Sequence, residues 1–290
     1  MRYYQLRVDG DTHLVAKRDG SHVDLSTANS RLRTFDDLLY AADVADTEID
    51  TIAKRLLEEA KSIPSERLDG EALLEPVTPQ EVWAAGVTYR ISEEAREAES
   101  SKPEIYLRVY DSDRPELFFK ATPERVVGPN DRVGIRADSD WDVPEPELGV
   151  VLSGEEIVGY TIGNDMSSRA IEGENPLYLP QSKVYDRSCA IGPAVRSATS
   201  IDDPANLEMW MRIERDGDVL YDESTNTSQM VRSIDELVDW YVRHNAVPDV
   251  SVLLTGTSLV PDDEFTLEPA DQIEIGIEGI GTLSNTVTEV

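Results

Sequence analysis

The stretch VPEPELGVVL, residues 143–152, sets Glu145 and Glu147 two positions apart at the head of an apolar run. Residues i and i+2 of a strand point to the same face. The two carboxylates are then neighbours, and like charges that close need water or a cation between them. The turn residues SGEE follow, and IVGYTIGNDMSSR then returns the chain as a hairpin, bringing Asp165 back to the end that carries both glutamates. Register depends on the loop. A three-residue loop (Gly154, Glu155, Glu156) sets Glu145 opposite Asp165, whereas a two-residue loop turns Asp165 to the other face unless a bulge intervenes. Three carboxylates converging there form a hard oxygen donor set suited to Mg2+, Mn2+ or Ca2+. Three protein ligands also leave positions on an octahedral ion for a substrate.

The competing reading is that these are three more solvated acids. Asp and Glu total 58 against 27 Lys and Arg, for a net charge of -31. The apolar flanks LGVVL and IVGYTI weigh toward a bound cation, because acids embedded in core-like strands need a partner. Charge excess on this scale destabilises a compact state unless concentrated salt screens it. Lysine is nearly abandoned: only Lys17, Lys54, Lys61, Lys102, Lys120 and Lys183 occur. Together these describe a cytoplasmic protein of a salt-loving cell. The charge balance argues against nucleic acid or an anionic membrane as partner, since both require a basic face. A small charged substrate that brings or shares a metal is compatible with it.

The elements that must position these residues read as follows. The 290 residues, 40% of them hydrophobic, suffice for a large core, with one main domain and a smaller one attached. No secretory signal and no run of 18 apolar residues is evident. Cys189 is the single cysteine, which excludes an internal disulfide or a cysteine-cluster zinc site and leaves it as a small buried hydrophobe. Residues 1–75 mix short strands (RYYQLRV, THLVAK) with the helical patterns TFDDLLYAADV and EIDTIAKRLLEEAKSI. The stretch EPVTPQE, with two prolines, marks the boundary of this small N-terminal α+β domain from a catalytic domain over 76–290. Beyond it short β segments dominate, including ELFFK, VSVLL and DQIEIGIEG, and Asp216-Gly217 between alternating runs signals a hairpin. One helix interrupts them at SIDELVDWYVRHN, where Ser233 and Glu236 have capping-box spacing. Many strands with few helices predict a mixed β (α+β) roll, not a doubly wound fold.

The ordered set EPEL, GYTIGNDMSSR, QSKVYDRSCAIGP, LLTGT and IEIGIEGIGTLSNTV resembles the fumarylacetoacetate hydrolase superfamily over roughly residues 80–290. The resemblance implies a β-roll catalytic domain, usually dimerised, behind a smaller N-terminal domain. It also implies that Glu145, Glu147 and Asp165 hold the divalent cation, that Lys183 is an active-site lysine and that Thr257 contacts substrate. Lys120 in ELFFKATPERVVGPNDRV fits the family pattern in a structural or carboxylate-binding role, and as a substrate contact. Hydrolases of the family carry a water-activating histidine that would fall near Ser92, and none is present. His13, His22 and His244 lie in no recognisable motif. With WAAGVTYR and PELFFKATPERVVGP, the chain looks most like the branch of 2-keto-3-deoxy-pentonate dehydratases.

Such a substrate presents carboxylate and keto oxygens to Mg2+, loses a proton at C3, expels its C4 hydroxyl and tautomerises to 2,5-dioxopentanoate. Lys183 is the expected C3 base, its ammonium depressed by a nearby cation and partial desolvation; Schiff-base formation is its rival role. Glu116 is the expected proton donor to the leaving hydroxyl, and Tyr89 and Arg90 are expected substrate contacts. Two readings stay open beside it: a carbon–carbon bond hydrolase of the acylpyruvate type, and a non-catalytic ion-binding protein. A homodimer or homotetramer is expected.

Overall fold

A computed structural model of the chain describes residues 1–68, 72–90, 108–110 and 112–290. Its largest element is a twelve-stranded sheet. Ten strands form its path, in the order Lys61–Ile63, Ser21–Asp24, Asp11–Arg18, Arg2–Val8, Cys189–Ser197, Glu156–Asp165, Pro146–Ser153, Val250–Leu254, Glu81–Gly86 and Glu116–Ala121. Pairing is mostly antiparallel, but Val250–Leu254 and Glu81–Gly86 run parallel, so both end on the same side. A five-stranded sheet, built mainly from residues 208–226 and 272–289, packs against it. The fold is the mixed β roll that the pattern of short strands predicts.

Strand alternation decides what each face of the large sheet touches. Leu148, Val150 and Leu152 join Met209, Met211, Ile213, Ile273 and Ile275 in the core between the two sheets. Val151, one step out of phase, shares the opposite core with Val252, Leu254 and Ile191, and with Phe35, Leu38, Ala42 and Ala53 of the helices Phe35–Val44 and Ile49–Leu56. Burial of each such aliphatic side chain contributes roughly 1.5–3 kcal/mol. Cys189 lies in this second core, fully buried, and burial pushes its thiol up to about 12.

Local chemistry accounts for the element ends. Thr34 caps the first of these helices reciprocally with Asp37: the Asp37 N–H donates to Thr34 Oγ1 at 3.1 Å and the Thr34 N–H to Asp37 Oδ2 at 2.9 Å. The helix expected to continue through Ile63 ends at Leu56 instead, and Lys61–Ile63 is an edge strand paired with Ser21–Asp24. Ile63 precedes Pro64, which disfavours helical backbone there, and the sheet edge offers the hydrogen bonds that a last helical turn would lack. Asp216-Gly217 forms the expected two-residue hairpin, with both residues at positive φ as a type I′ turn requires. Asp9-Gly10 and Asp19-Gly20 repeat the device. Ser233 caps the helix Ile234–Val242, but Glu236 pairs with Arg232 at 2.6 Å, so half of the predicted box forms. The proline-bearing residues 75–80 connect Leu73–Leu74, paired with Arg2–Val8, to Glu81–Gly86, and both strands belong to the large sheet. No helix among the described residues is long and apolar enough to cross a membrane.

Candidate active site

The hairpin carrying the acids has a two-residue loop, Ser153 pairing with Glu156, and Gly154 takes a φ of 57° at its first position. The register then shifts. Leu152 pairs with Ile157 but Val151 with Gly159, so Val158 is an extra residue, and beyond this bulge Glu147 lies opposite Gly163. Continuing that register sets Glu145 level with Asp165, whose N–H donates to the Glu145 carbonyl at 2.9 Å. Both conditions met in the sequence thus occur, the short loop and the bulge that compensates for it. Oxygen atoms of Glu145, Glu147 and Asp165 lie within 4.8 Å of one another. Their residues are 7%, 2% and 1% exposed, which rules out a solvated surface cluster.

Three cations enclose the acids. Lys183 Nζ, from the end of the short helix Leu179–Lys183, is 2.6 Å from Glu145 Oε2, 3.1 Å from Asp165 Oδ2 and 2.6 Å from Ser167 Oγ. Lys120 Nζ meets Asp165 Oδ1 at 2.5 Å and donates to the carbonyls of Met166 and Lys183 at 2.8 and 2.5 Å. Arg169, at the head of the helix Arg169–Glu174, puts Nη2 2.7 Å from Glu145 Oε1. Glu147 is in salt-bridge contact with none of the three among the described residues. Its Oε2 accepts the Gly256 N–H at 2.5 Å instead. Only glycine delivers that N–H: Gly256 has a φ of 85°, and a Cβ there would lie 2.1 Å from Thr88 Oγ1. Thr88 in turn donates to the Thr255 carbonyl at 2.6 Å, joining the loops that follow the two parallel strands.

Burial disfavours ionisation of Glu145, but Lys183 and Arg169 overcome it and hold its carboxyl down at about 2. Glu147 goes the other way: burial first, then the Asp165 and Glu145 charges, push it well above the usual carboxylate range. Burial also works to lower Lys183, yet Asp165, Glu145 and Glu172 outweigh it and raise its ammonium well above an ordinary lysine. Among the protein's own groups this reverses the depression expected for Lys183. That expectation counted a bound cation together with desolvation, and the carboxylates at contact act against both.

These residues fit a hard divalent cation. The donors are all oxygen, they converge, and burial with the neighbouring Asp165 and Glu145 charges pushes the Glu147 carboxyl up, a strain that a cation would relieve. A linkage follows. A carboxyl raised on folding stays protonated when its unfolded counterpart has ionised, so the metal-free protein loses stability as pH rises from the ordinary glutamate range toward the raised value of Glu147. Divalent cation removes that proton demand. Calorimetric titration of Mg2+ near neutral pH in buffers of different ionisation enthalpy is therefore expected to register proton release, and Mg2+ affinity to rise with pH. A heat independent of buffer would contradict it.

A cleft opens over the triad, lined by Glu116, Lys183, Arg169, Glu172 and Thr257 together with the three acids. Of the predicted site residues, Glu116, Lys183 and Thr257 therefore reach it. Three further expected substrate contacts are not among the described residues that line the cleft, and Lys120 takes the structural, carboxylate-binding place also expected for it. Lys120 is fully buried and spends its ammonium on Asp165 and two carbonyls. Tyr89 is 1% exposed, with its hydroxyl unpaired among the described residues and its carbonyl accepting from Tyr110. Arg90 is exposed, its guanidinium 5.7 Å from the Tyr110 ring centroid. The position near Ser92 lies outside the described residues. His13, His22 and His244 do not line the cleft.

Sequence reasoning missed Arg169, Ser167, Glu172 and Gly256. The first two stand inside the quoted NDMSSR run and Gly256 inside LLTGT, so their motifs were visible and their roles were not. Glu172 follows Arg169 at i+3 on a helix, a spacing that shares a face once the helix is known.

A buried, oxygen-only triad ringed by cations, under a cleft on a mixed β roll, defines a divalent-metal enzyme that acts on a small oxyanion substrate. The model of the fumarylacetoacetate (FAA) hydrolase C-terminal family matches residues 81–288, and the chain belongs to that family. It is 59% identical over 290 residues, 100% of both chains, to a probable 2-keto-3-deoxyxylonate dehydratase of Haloferax volcanii. It is 44% identical over 220 residues, 74% of each chain, to the 2-dehydro-3-deoxy-D-arabinonate dehydratase of Saccharolobus solfataricus. Among solved structures, a 2-keto-3-deoxy-D-arabinonate dehydratase complexed with magnesium and 2,5-dioxopentanoate superposes with a TM-score of 0.84 at 35% identity, covering 100% of this chain and 99% of that one.

Proposed function

We propose that the protein is a Mg2+-dependent dehydratase that converts a 2-keto-3-deoxy-pentonate to 2,5-dioxopentanoate. The observation that carries this reading is the buried Glu145, Glu147 and Asp165 cluster, on a fold that matches a dehydratase holding magnesium and that product. The reaction removes one water: a C3 proton and the C4 hydroxyl leave, a proton passes from C5 to C3, and the C4–C5 enol becomes an aldehyde. Glu145, Glu147 and Asp165 would hold the metal, which supplies polarisation of the keto group and so makes the C3 proton more acidic.

The chain's own groups do the rest. Lys183 keeps its proton at Nζ, beside two of the acids, and presents positive charge where negative charge develops on the C2 oxygen. Glu116 hands a proton to the departing C4 hydroxyl, and Thr257 orients the substrate from the opposite loop. Lys120 and Arg169 set the carboxylates in place. Residues 1–75 serve as a small scaffolding domain that shares the large sheet with a catalytic unit over 76–290 and packs its two longer helices on one face of that sheet. The chain works as a homodimer or homotetramer in the cytoplasm of a salt-loving cell, without nucleic-acid or membrane partners; its net charge of -31 supports this setting.

The test is incubation of metal-stripped protein in concentrated KCl with 2-keto-3-deoxypentonate, with and without Mg2+. Formation of 2,5-dioxopentanoate only with Mg2+ is the expected result. Absence of that product, with pyruvate released from an acylpyruvate, would place the protein among the hydrolases.

A further inference from the structure

We propose that Arg232 is a positioning residue for the proton transfer made by Glu116, acting through the segment that leads into the strand Glu116–Ala121. The assignment deepens the dehydratase reading and rests on it. Arg232 is 8% exposed and stands just ahead of the helix Ile234–Val242. Its Nη2 donates to the Val109 carbonyl at 2.9 Å and to the Ser112 carbonyl, and its Nη1 reaches the Asp113 carbonyl at 3.4 Å. Nη1 also meets Glu236 Oε1 at 2.6 Å, so the buried charge is paired. Ser112 and Asp113 belong to no helix or strand, so their carbonyls need donors from elsewhere. One planar fork serves both of them and Val109 as well.

The fork is anchored in turn. The Val231 N–H donates to the Thr88 carbonyl at 2.8 Å, and Met230 forms a bridge with Tyr89, which ties the backbone beside Arg232 to the loop after the strand Glu81–Gly86. The Tyr110 hydroxyl donates to the Tyr89 carbonyl at 2.6 Å, so both sides of the clamp end on that loop. Arg114 lies with its guanidinium 4.4 Å from the centre of the Trp240 ring, on the helix that also carries Glu236.

Glu116 follows Asp113 by three residues, with buried Pro115 fixing one backbone angle between them. It pairs with Gly86, over which its carboxylate reaches: a Cβ on that glycine would lie 2.2 Å from Glu116 Oε2. The place of Glu116 is therefore set from two sides, by the strand it joins and by the clamp behind it. Val109, Ser112 and Arg114 wall a recess that meets the cleft at Glu116 and Leu179, so the clamped segment borders the site itself. Misplacing a catalytic group by about 1 Å costs on the order of a hundredfold in rate. The metal triad belongs to a different part of the sheet, the hairpin that carries Glu145, Glu147 and Asp165.

The experiment separates placement of Glu116 from support of the fold. Arg232→Lys keeps the charge but replaces the fork with one compact ammonium, and Arg232→Ala removes both. The kcat for 2-keto-3-deoxypentonate is expected to fall by about tenfold in the first and about a hundredfold in the second, with KM and calorimetric Mg2+ affinity close to wild type. In a Glu116→Gln background Arg232→Ala should cost little more, because the group it positions is already gone. Hydrogen exchange followed by mass spectrometry reads the clamp without activity: amides of residues 112–118 should exchange faster in Arg232→Ala, and those of the hairpin 146–165 should not. A kcat near wild type in Arg232→Ala, an undiminished further loss in the Glu116→Gln background, or unchanged exchange at 112–118 overturns the assignment. Weakened Mg2+ binding in Arg232→Lys with faster exchange across the hairpin also overturns it, since Arg232 is then a general support of the fold. Faster exchange at 112–118 with no 2,5-dioxopentanoate from the wild type would instead sink the dehydratase reading and leave the clamp in place.

Discussion

Glu145→Gln is expected to lower kcat/KM for the 2-keto-3-deoxy-pentonate by about 10³-fold and to abolish tight Mg2+ binding. The substitution keeps the shape of the side chain and removes one ligand charge. Loss of a metal's polarisation is worth several kcal/mol, and about 4 kcal/mol corresponds to that factor. A second effect compounds the first. Glu145 is the carboxylate shared by Arg169 at 2.7 Å and Lys183 at 2.6 Å, so a neutral amide leaves two buried cations facing one acid fewer. The excess positive charge repels Mg2+ even where Glu147 and Asp165 remain. Raising Mg2+ should therefore not restore the rate. Steady-state kinetics over a wide Mg2+ range, with calorimetry on the same preparations, measures both effects. Activity within tenfold of wild type, or full recovery at high Mg2+, would show that Glu145 is not a ligand.

Lys120→Met is expected to be the most damaging to stability of the site substitutions considered. The methionine preserves most of the stem volume, so packing is largely kept. What is lost is a fully buried ammonium that is ion-paired with Asp165 Oδ1 and donates hydrogen bonds to the carbonyls of Met166 and Lys183. Removing one partner of a buried ion pair typically costs about 3–5 kcal/mol, because the remaining charge stays desolvated. Here Asp165 keeps Lys183 at 3.1 Å, which relieves part of the penalty, while two carbonyls lose their donor. Equilibrium unfolding in concentrated KCl, with and without Mg2+, tests this. The deficit should narrow with Mg2+, which supplies charge to Asp165. A loss below about 1 kcal/mol, the scale of an exposed ion pair, would show that Asp165 needs no second cation.

Several features were legible along the chain because they depend only on near neighbours. The i, i+2 spacing of Glu145 and Glu147 on an alternating strand defined a shared face, and the apolar residues between and beyond them marked that strand as core. Asp216-Gly217 marked a hairpin because few pairs of residues tolerate positive φ twice in succession. The donor types alone restricted any bound metal to a hard cation. The absence of a histidine near Ser92 turned attention from water activation to elimination, on a segment outside the described residues.

Only the tertiary structure decided the rest. Whether Asp165 faced the glutamates hinged on one extra residue, Val158, whose bulge realigns the strands after a two-residue loop, and either register leaves the same alternation in the sequence. Lys61–Ile63 carries a helical pattern but was claimed by the sheet edge at Ser21–Asp24, far away in the chain. Lys120 and Lys183 look alike as lone lysines inside motifs. Burial made one a strut beneath Asp165 and left the other on the cleft. The protonation of Lys183 and Glu147 was least accessible of all, since it depends on how many charges meet within a few ångströms in a medium that screens them weakly. Local pattern therefore determined which residues share a face and what kind of ion they would hold. Long-range pairing determined what stands opposite them, and with it the sign of each charge's effect.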